Sequence, residues 1–396
     1  MHSSLFRIGF ILLLLFAPDA LAAKKSKPKT FGELLQVSTQ VKPRKAHRLI
    51  RKFIKRQGHP LVEKTQAVFL FEHKAGTERP RLLHDNNAFG ALYGKDDPAI
   101  GQMTRISQTT WYYATVPLLE DARLVYEFAV GEKRLTDPHN PATVQVFGNT
   151  LSSFTMPQFK ERFSKEEQAR TQPGRIETQK IKRNGKEEEI FVYVPRAFDE
   201  DRDRAFPVMY INDGSLFLDE GNLKQTLDAM MYHSQCDPFF VVLSNPTNRR
   251  EEYRGSSKYR NWYVYDLFSF IDRTYNTLDG PEHRVILGGS RGALMALDAM
   301  LNYPNRVANV AALTPALSPT KFMRNFKRKS KPGIKVFVGL ANLDAYWLKD
   351  GRELAKVLRT KRLAHKTAEF QDGHHVHAWV DMVPSAAAYF FPFTPR

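Results

Sequence analysis

Arg284-Val285-Ile286-Leu287-Gly288-Gly289-Ser290-Arg291-Gly292-Ala293-Leu294-Met295-Ala296-Leu297-Asp298-Ala299-Met300-Leu301 is the stretch that decides the fold. Its first four residues read as a buried strand, and the run from Ala293 onward reads as a helix. Between them stands a Gly-x-Ser-x-Gly pentapeptide, Gly288 to Gly292. On composition alone such a pentapeptide is weak. A strand running straight in and a helix running straight out make it specific, because a serine on so sharp a turn is lifted clear of the sheet. The flanking glycines let the backbone turn without Cβ clashes. The amide of Arg291, opening the helix, then faces the place where an oxyanion develops.

Working outward, strand and helix patterns alternate from residue 175 to the end. Strands are predicted at Ile190–Val194, Phe206–Ile211, Phe239–Leu243, Arg284–Leu287, Val307–Leu313 and Lys335–Val338. Helices are predicted at Leu223–Met231, Trp262–Tyr275, Ala293–Asn302, Arg352–Leu363 and Ala378–Tyr389. That alternation implies an α/β unit with a mostly parallel sheet covered by helices.

A serine hydroxyl needs an adjacent base to attack. After a turn of this kind, an acid and then a histidine follow in chain order. The strand from Lys335 runs into a loop ending at Asp344, the favoured acid. Asp350 competes with it, but reads as the cap of the Arg352 helix. Three histidines, His374, His375 and His377, stand in one loop, and His374, directly after Gly373, is the favoured base. No Cys or carboxylate set at metal spacing accompanies them, so no metal or other cofactor is expected.

Residues 60–155 read as a small β-sandwich. Strand-like runs occur at Ala67–Phe71, Trp111–Val116 and Leu124–Val130, and Asp137-Pro138-His139-Asn140-Pro141 supplies strong turn chemistry to close the unit. Trp111, Tyr112 and Tyr113 are either core or sugar-stacking aromatics. Residues 158–174 read as a polar linker. Residues 23–58 form a basic lead-in whose helix, opening at Pro43, carries Ala46, Leu49, Ile50, Phe53 and Ile54 on one face. The favoured reading docks that face on the next domain, and the alternative lays the helix on an anionic membrane. Residues 1–22 read as a signal peptide. Arg7 precedes an apolar run, Ile8–Ala17, too short to span a bilayer, and small residues follow at Ala20 and Ala22. No cysteine follows the run, which excludes lipoprotein processing. The lone Cys236 cannot form an internal disulfide and reads as structural. A periplasmic destination is therefore expected. The formal charge of +17 favours anionic surfaces or substrates.

From about residue 175 onward the sequence resembles the putative-esterase family, which includes enterochelin esterases, feruloyl esterases, S-formylglutathione hydrolase and mycolyltransferases. Five segments carry the resemblance: Phe206–Gly214 with its Asp213-Gly214 turn; Arg249, Glu252 and Tyr253 in an R-x-x-E-Y pattern; the turn at Ser290; Asn302–Val307; and Gly373-His374 followed by Trp379. The preceding region resembles the early-set immunoglobulin-like domain of enterochelin esterases, through Met103–Trp111 and Asp137–Pro141. The resemblance implies an α/β-hydrolase fold and the triad Ser290, Asp344 and His374, with an oxyanion hole from the amides of Arg291 and Ser215. It selects His374 over the other two histidines. The family usually carries a second glycine where Ala293 stands, and an apolar residue where Arg291 stands.

The expectation is a secreted carboxylic ester hydrolase acting on a small-molecule ester, foremost a ferric siderophore. A carbohydrate-ester or feruloyl esterase with a glycan-binding sandwich is the alternative. An inactive surface-binding relative comes third, and no nucleic acid partner is expected. Arg249 and Arg291, both at the C-terminal edge of the sheet, are expected to favour an anionic substrate.

Overall fold

A computed structural model describes residues 27–74, 78–85, 97, 99–317 and 321–395 of the 396-residue chain. The expected signal peptide, residues 1–22, lies outside the described residues.

The N-terminal half is a sandwich of two antiparallel sheets. Its strands are β1 (Leu61–Glu63), β2 (Gln66–Glu72), β3 (Arg81–His84), β4 (Thr104–Arg105), β5 (Trp111–Pro117), β6 (Arg123–Val130), β7 (Lys133–Leu135), β8 (Thr143–Val146) and β9 (Asn149–Thr155). One sheet runs β1-β2-β5-β4 and the other β3-β6-β9-β8, with β7 paired to β6. Phe69, Phe71, Leu124, Tyr126 and Phe128 fill the space between them. The Asp137–Pro141 turn does not close the unit, since β8 and β9 follow it. It is instead a buried polar knot, in which the Asp137 carboxylate accepts from the Tyr126 hydroxyl at 2.7 Å and lies 2.8 Å from His59 Nδ1. Trp111 is fully buried and Tyr112 nearly so, which makes them core and not a sugar platform.

The lead-in folds into two helices, Phe31–Thr39 and Pro43–Gln57. Ala46, Ile50, Phe53 and Ile54 of the second are buried, and the last three pack with Val68, Leu70 and Trp111 on the outer face of the first sheet. The apolar stripe is thus used internally, which leaves only the cationic face to solvent. Residues 158–174 are more than a linker. Phe163 is buried in the core of the second domain, and a short helix, Lys165–Ala169, opens with a capping box between Ser164 and Glu167.

The second domain is built on an eight-stranded sheet. Its strands are β10 (Arg175–Arg183), β11 (Lys186–Val194), β12 (Val208–Asn212), β13 (Phe240–Ser244), β14 (Arg284–Gly289), β15 (Asn309–Leu313), β16 (Lys335–Ala341) and β17 (Ala364–Phe370). Their spatial order is β10-β11-β13-β12-β14-β15-β16-β17. The β10–β11 hairpin is antiparallel and joins the rest antiparallel through β13, and all later pairings are parallel. The exchange of β12 and β13 places the sheet's crossover beside β14. Helices cover both faces, including Leu223–Tyr232, Arg291–Asn302, Leu348–Thr360 and Val376–Phe390. The helix expected over Trp262–Tyr275 begins earlier, at Ser257, and passes through a π-helical stretch, Trp262–Leu267, before its last α turns. This is the α/β-hydrolase architecture, preceded by a β-sandwich.

Candidate active site

Strand β14 is buried along its whole length and delivers Ser290 at the C-terminal edge of the sheet. Ser290 has φ 58° and ψ −120°, a backbone conformation that costs a non-glycine residue about 1–3 kcal/mol. Its neighbours hold it there. The Ser290 amide donates to Leu313 O at 2.9 Å, and its carbonyl accepts from Ala316 N at 3.2 Å. A Cβ on Gly288 would stand 2.3 Å from the carbonyl carbon of Gly292, so the strand and the helix after it approach as closely as backbone allows. Asn212 adds a further tie, donating from Nδ2 to Gly292 O at 3.0 Å. The helix that follows begins at Arg291. The Arg291 amide therefore occupies the first helical position, at the N-terminal end of the helix.

Two strands further along, β16 leads to Asp344. Asp344 Oδ2 meets His374 Nδ1 at 2.6 Å, and both side chains are buried. The other carboxylate oxygen, Oδ1, accepts the amides of Tyr346 at 3.2 Å and Trp347 at 3.0 Å, which fixes the carboxylate's orientation. With Nδ1 turned to Asp344, the imidazole's Nε2 faces away from it. Trp379 bridges the two halves of the site. Its ring stands edge-on to His374, with centroids 5.4 Å apart, and fills the space a Cβ on Gly289 would need. The indole N–H donates to Thr314 Oγ1 at 2.7 Å.

The competing residues have other work. Asp350 is not a helix cap. The helix starts at Leu348, and the buried Asp350 in its first turn accepts the Leu317 amide at 2.8 Å. His375 is the N-cap of the terminal helix, its Nδ1 accepting from Ala378 N at 3.2 Å. His377 Nε2 lies 3.0 Å from Gln145 O in the sandwich domain, and burial lowers its pKa to about 4.

Two of the expected roles need correction. The Ser215 amide does not point into an empty hole. It donates to Asn245 Oδ1 at 3.0 Å, while Asn245 Nδ2 donates to Ser215 Oγ at 2.8 Å. Asn245, directly after β13 at the same sheet edge, had no motif to mark it. Its position after five buried strand residues was the available signal. Arg249 is not free to meet an anionic substrate, as expected of it, because its guanidinium is taken up within the loop. It forms a fork with Asp213, Nε to Oδ1 at 2.8 Å and Nη2 to Oδ2 at 2.9 Å, and lies over the Tyr253 ring. Its charge is answered locally, and its evident contribution is to hold the Asp213-Gly214-Ser215 turn. Arg291 is half-buried beside Ser290.

Among the described residues, no cluster of three or more His, Cys, Asp or Glu side chains is arranged to hold a metal ion. Cys236 is buried in the core, and desolvation pushes its thiol up to about 12.

Comparison with known proteins agrees with this architecture. Two curated proteins of Bacillus subtilis (strain 168) match the chain. The uncharacterized protein YbbA is 22% identical over 186 residues, spanning 42% of this chain and 71% of its own length. The uncharacterized protein YjcH is 22% identical over 201 residues, spanning 46% and 82%. Among solved structures, the ferric enterobactin esterase of Salmonella typhimurium superposes with a TM-score of 0.66 at 15% identity, covering 82% of this chain and 93% of that one. The enterobactin esterase FES of Shigella flexneri, solved in the presence of 2,3-di-hydroxy-N-benzoyl-serine, gives 0.64 at 15% identity, covering 82% and 92%. At that identity the likeness is one of fold, and it spans both domains. The model of the family described as Putative esterase matches residues 181–389, more than half of the chain. The chain belongs to the Putative esterase family and is a carboxylic ester hydrolase.

Proposed function

We propose that the ester is cleaved by Ser290 as nucleophile, His374 as base and Asp344 as the carboxylate that orients the imidazole. The observation that carries this reading is the buried 2.6 Å contact between His374 Nδ1 and Asp344, in a chain whose strained strand-to-helix turn presents a serine. In the first half of the reaction Ser290 Oγ attacks the ester carbonyl and its proton passes to His374 Nε2. The alcohol then leaves with that proton, and an acyl-enzyme remains. In the second half His374 takes a proton from water as the water oxygen attacks the acyl carbonyl, and that proton then passes from His374 to Ser290 Oγ as the acid leaves and the free serine is restored. The Arg291 amide serves the developing oxyanion. Ser215 joins it only if its bond to Asn245 is exchanged for one to substrate.

For the substrate we propose a ferric catecholate siderophore or its cyclic ester. The support is the two-domain likeness to enterobactin esterases, together with Arg291 beside the nucleophile. Arg249, already forked to Asp213, adds nothing to that case. Export to the periplasm completes the reading, resting on Arg7, the apolar run Ile8–Ala17 and the small residues at Ala20 and Ala22. Protein purified from the periplasmic fraction should begin near Ala23, and an intact Met1 there would mean an uncleaved anchor in place of a cleaved signal peptide.

The decisive experiment is labelling with a fluorophosphonate, then turnover of ferric enterobactin and of a neutral nitrophenyl ester. Ser290 is the expected labelled residue, and Ser290→Ala is expected to abolish both labelling and turnover. Label on a different serine removes the assignment. Turnover of the nitrophenyl ester alone removes the siderophore and leaves the esterase.

A further inference from the structure

The residues on either side of His374 are held by the other domain. Arg123, at the start of β6 in the sandwich, is about nine-tenths buried at its side chain. Its Nη2 donates to Asp372 Oδ2 at 2.5 Å and to Asp381 Oδ2 at 2.7 Å. Its main-chain amide donates to Gln371 O at 2.9 Å, and its guanidinium lies over the Phe159 ring. Asp372, so anchored, turns its other oxygen toward the His374 loop. Oδ1 accepts the Gly373 amide at 2.8 Å and lies 3.0 Å from His375 Nε2. A second sandwich residue, Asp85 at the end of β3, accepts the Val125 amide, and its carboxylate occupies the space that a Cβ on Gly373 would need.

His374 is therefore suspended between two supports. Its own domain fixes the ring through Asp344, and fixes one side of the loop through Leu343 N to Asp372 O at 3.0 Å. The other side of the loop rests on Arg123, 249 residues before Asp372 in the chain, and on Asp85, earlier still. Asp372 and Asp381 are two carboxylates brought to one guanidinium. Remove the guanidinium and they repel, or one of them takes up a proton, and either event moves the backbone that carries His374.

We propose that Arg123 is a positioning residue for ester hydrolysis, a sandwich-domain side chain that sets the His374 loop through Asp372 and so makes the N-terminal domain a working part of the active site. The inference rests on His374 being the base, and its test separates the two. A base displaced by about 1 Å loses on the order of 100-fold in rate. Binding of a small neutral ester, by contrast, does not depend on the base.

The test uses the full-length chain and a nitrophenyl ester, with kcat counted per serine titrated by a fluorophosphonate so that unfolded protein is not scored. Arg123→Ala is expected to lower kcat by about 10- to 100-fold with KM changed less than about threefold, and to shift the pH–rate limb governed by the base. Arg123→Lys, which keeps the charge and loses the planar fork, is expected to recover part of the rate. It also decides the matter if Arg123→Ala does not fold, since a loss of about fivefold or more in kcat per titrated serine is then expected of it. A rate per titrated serine equal to wild type, with an unmoved pH limb, in whichever variant is folded overturns the proposal. His374→Ala is the companion measurement. If it retains activity, the base assignment fails and takes this inference with it. If it is inactive while the Arg123 variants turn over normally, the positioning inference alone is lost.

Discussion

The indole of Trp379 lies where a side chain on Gly289 would have to go, with ring carbons 2.4 Å from the position of the missing Cβ. One aromatic ring thereby couples the strand that delivers Ser290 to the helix that follows His374. Gly289→Ala must displace the ring or the strand, so a loss of about 1–3 kcal/mol in stability and a severe loss of turnover are expected. Gly292→Ala is the contrast. Its Cβ would stand 3.2 Å from Asn212 Cβ and 3.4 Å from Asp213 Oδ2, contacts that a small adjustment relieves. Thermal melting and steady-state assays on the pair check this, and equal damage at both glycines would contradict the role given to Trp379.

The two candidate acids separate by what they hold. Asp344→Asn keeps the shape of the carboxylate but lets an amide face His374 Nδ1, so kcat is expected to fall by about 10²- to 10⁴-fold with the fold retained. Asp350→Ala leaves the buried Leu317 amide without its acceptor, at a cost of about 1–3 kcal/mol in stability and with kcat close to wild type. Denaturant titration and nitrophenyl ester turnover on both variants distinguish them. A catalytic collapse in Asp350→Ala would reassign the acid.

The Arg123 cluster gives the protein a pH signature. Burial, with Asp372 and Glu161 nearby, raises the Asp381 carboxyl to about 6, whereas Arg123 and His375 hold Asp372 well below the usual carboxylate range against its own burial. The signs are opposite. A carboxyl raised in the folded state favours folding while it is protonated, and that contribution is lost as pH rises through about 6. Asp372 contributes at every pH above the ordinary carboxylate range, and fails only in strong acid. Asp381→Asn removes the first effect and leaves the second. Relative to wild type, the variant is expected to gain stability between pH 5 and pH 7.5, read from urea unfolding at the two values. A difference that does not change between them would show that Asp381 does not titrate there.

Cys236 offers a check on the second core. With its thiol pushed up to about 12, almost no thiolate exists at pH 8, and the side chain is buried. Iodoacetamide is expected to leave native protein unmodified and to alkylate Cys236 once urea unfolds the domain, as read by mass spectrometry. Rapid labelling of the native protein would mean that this core opens.

What the sequence disclosed followed the strength of local signals. The approach to Ser290 was legible because a buried strand, a glycine-flanked turn and an apolar helix stand within eighteen consecutive residues. Asp344 and His374 were legible through their order after it, and the pair does meet. Strands β10 and β17 escaped notice because edge strands carry charges where a central strand carries valines. Lys180, Lys182 and Arg183 in β10 and Lys366 and Glu369 in β17 break any apolar run. The ties of Arg249 to Asp213, Ser215 to Asn245 and Arg123 to Asp372 could not be read at all. Each joins residues separated by 30 or more positions. Polar pairing over such distances has no period.

Those same edge charges have a bearing on how the protein survives crowding. Among the described residues the eight-stranded sheet ends at β10 and β17 with no strand beyond them, and such edges are templates on which another chain can pair. The exposed Lys180 and Lys182 of β10 and the exposed Lys366 and Glu369 of β17 must be stripped of water before a second copy can dock. The charges that disguised these strands are of the kind that oppose growth of a sheet from its edge.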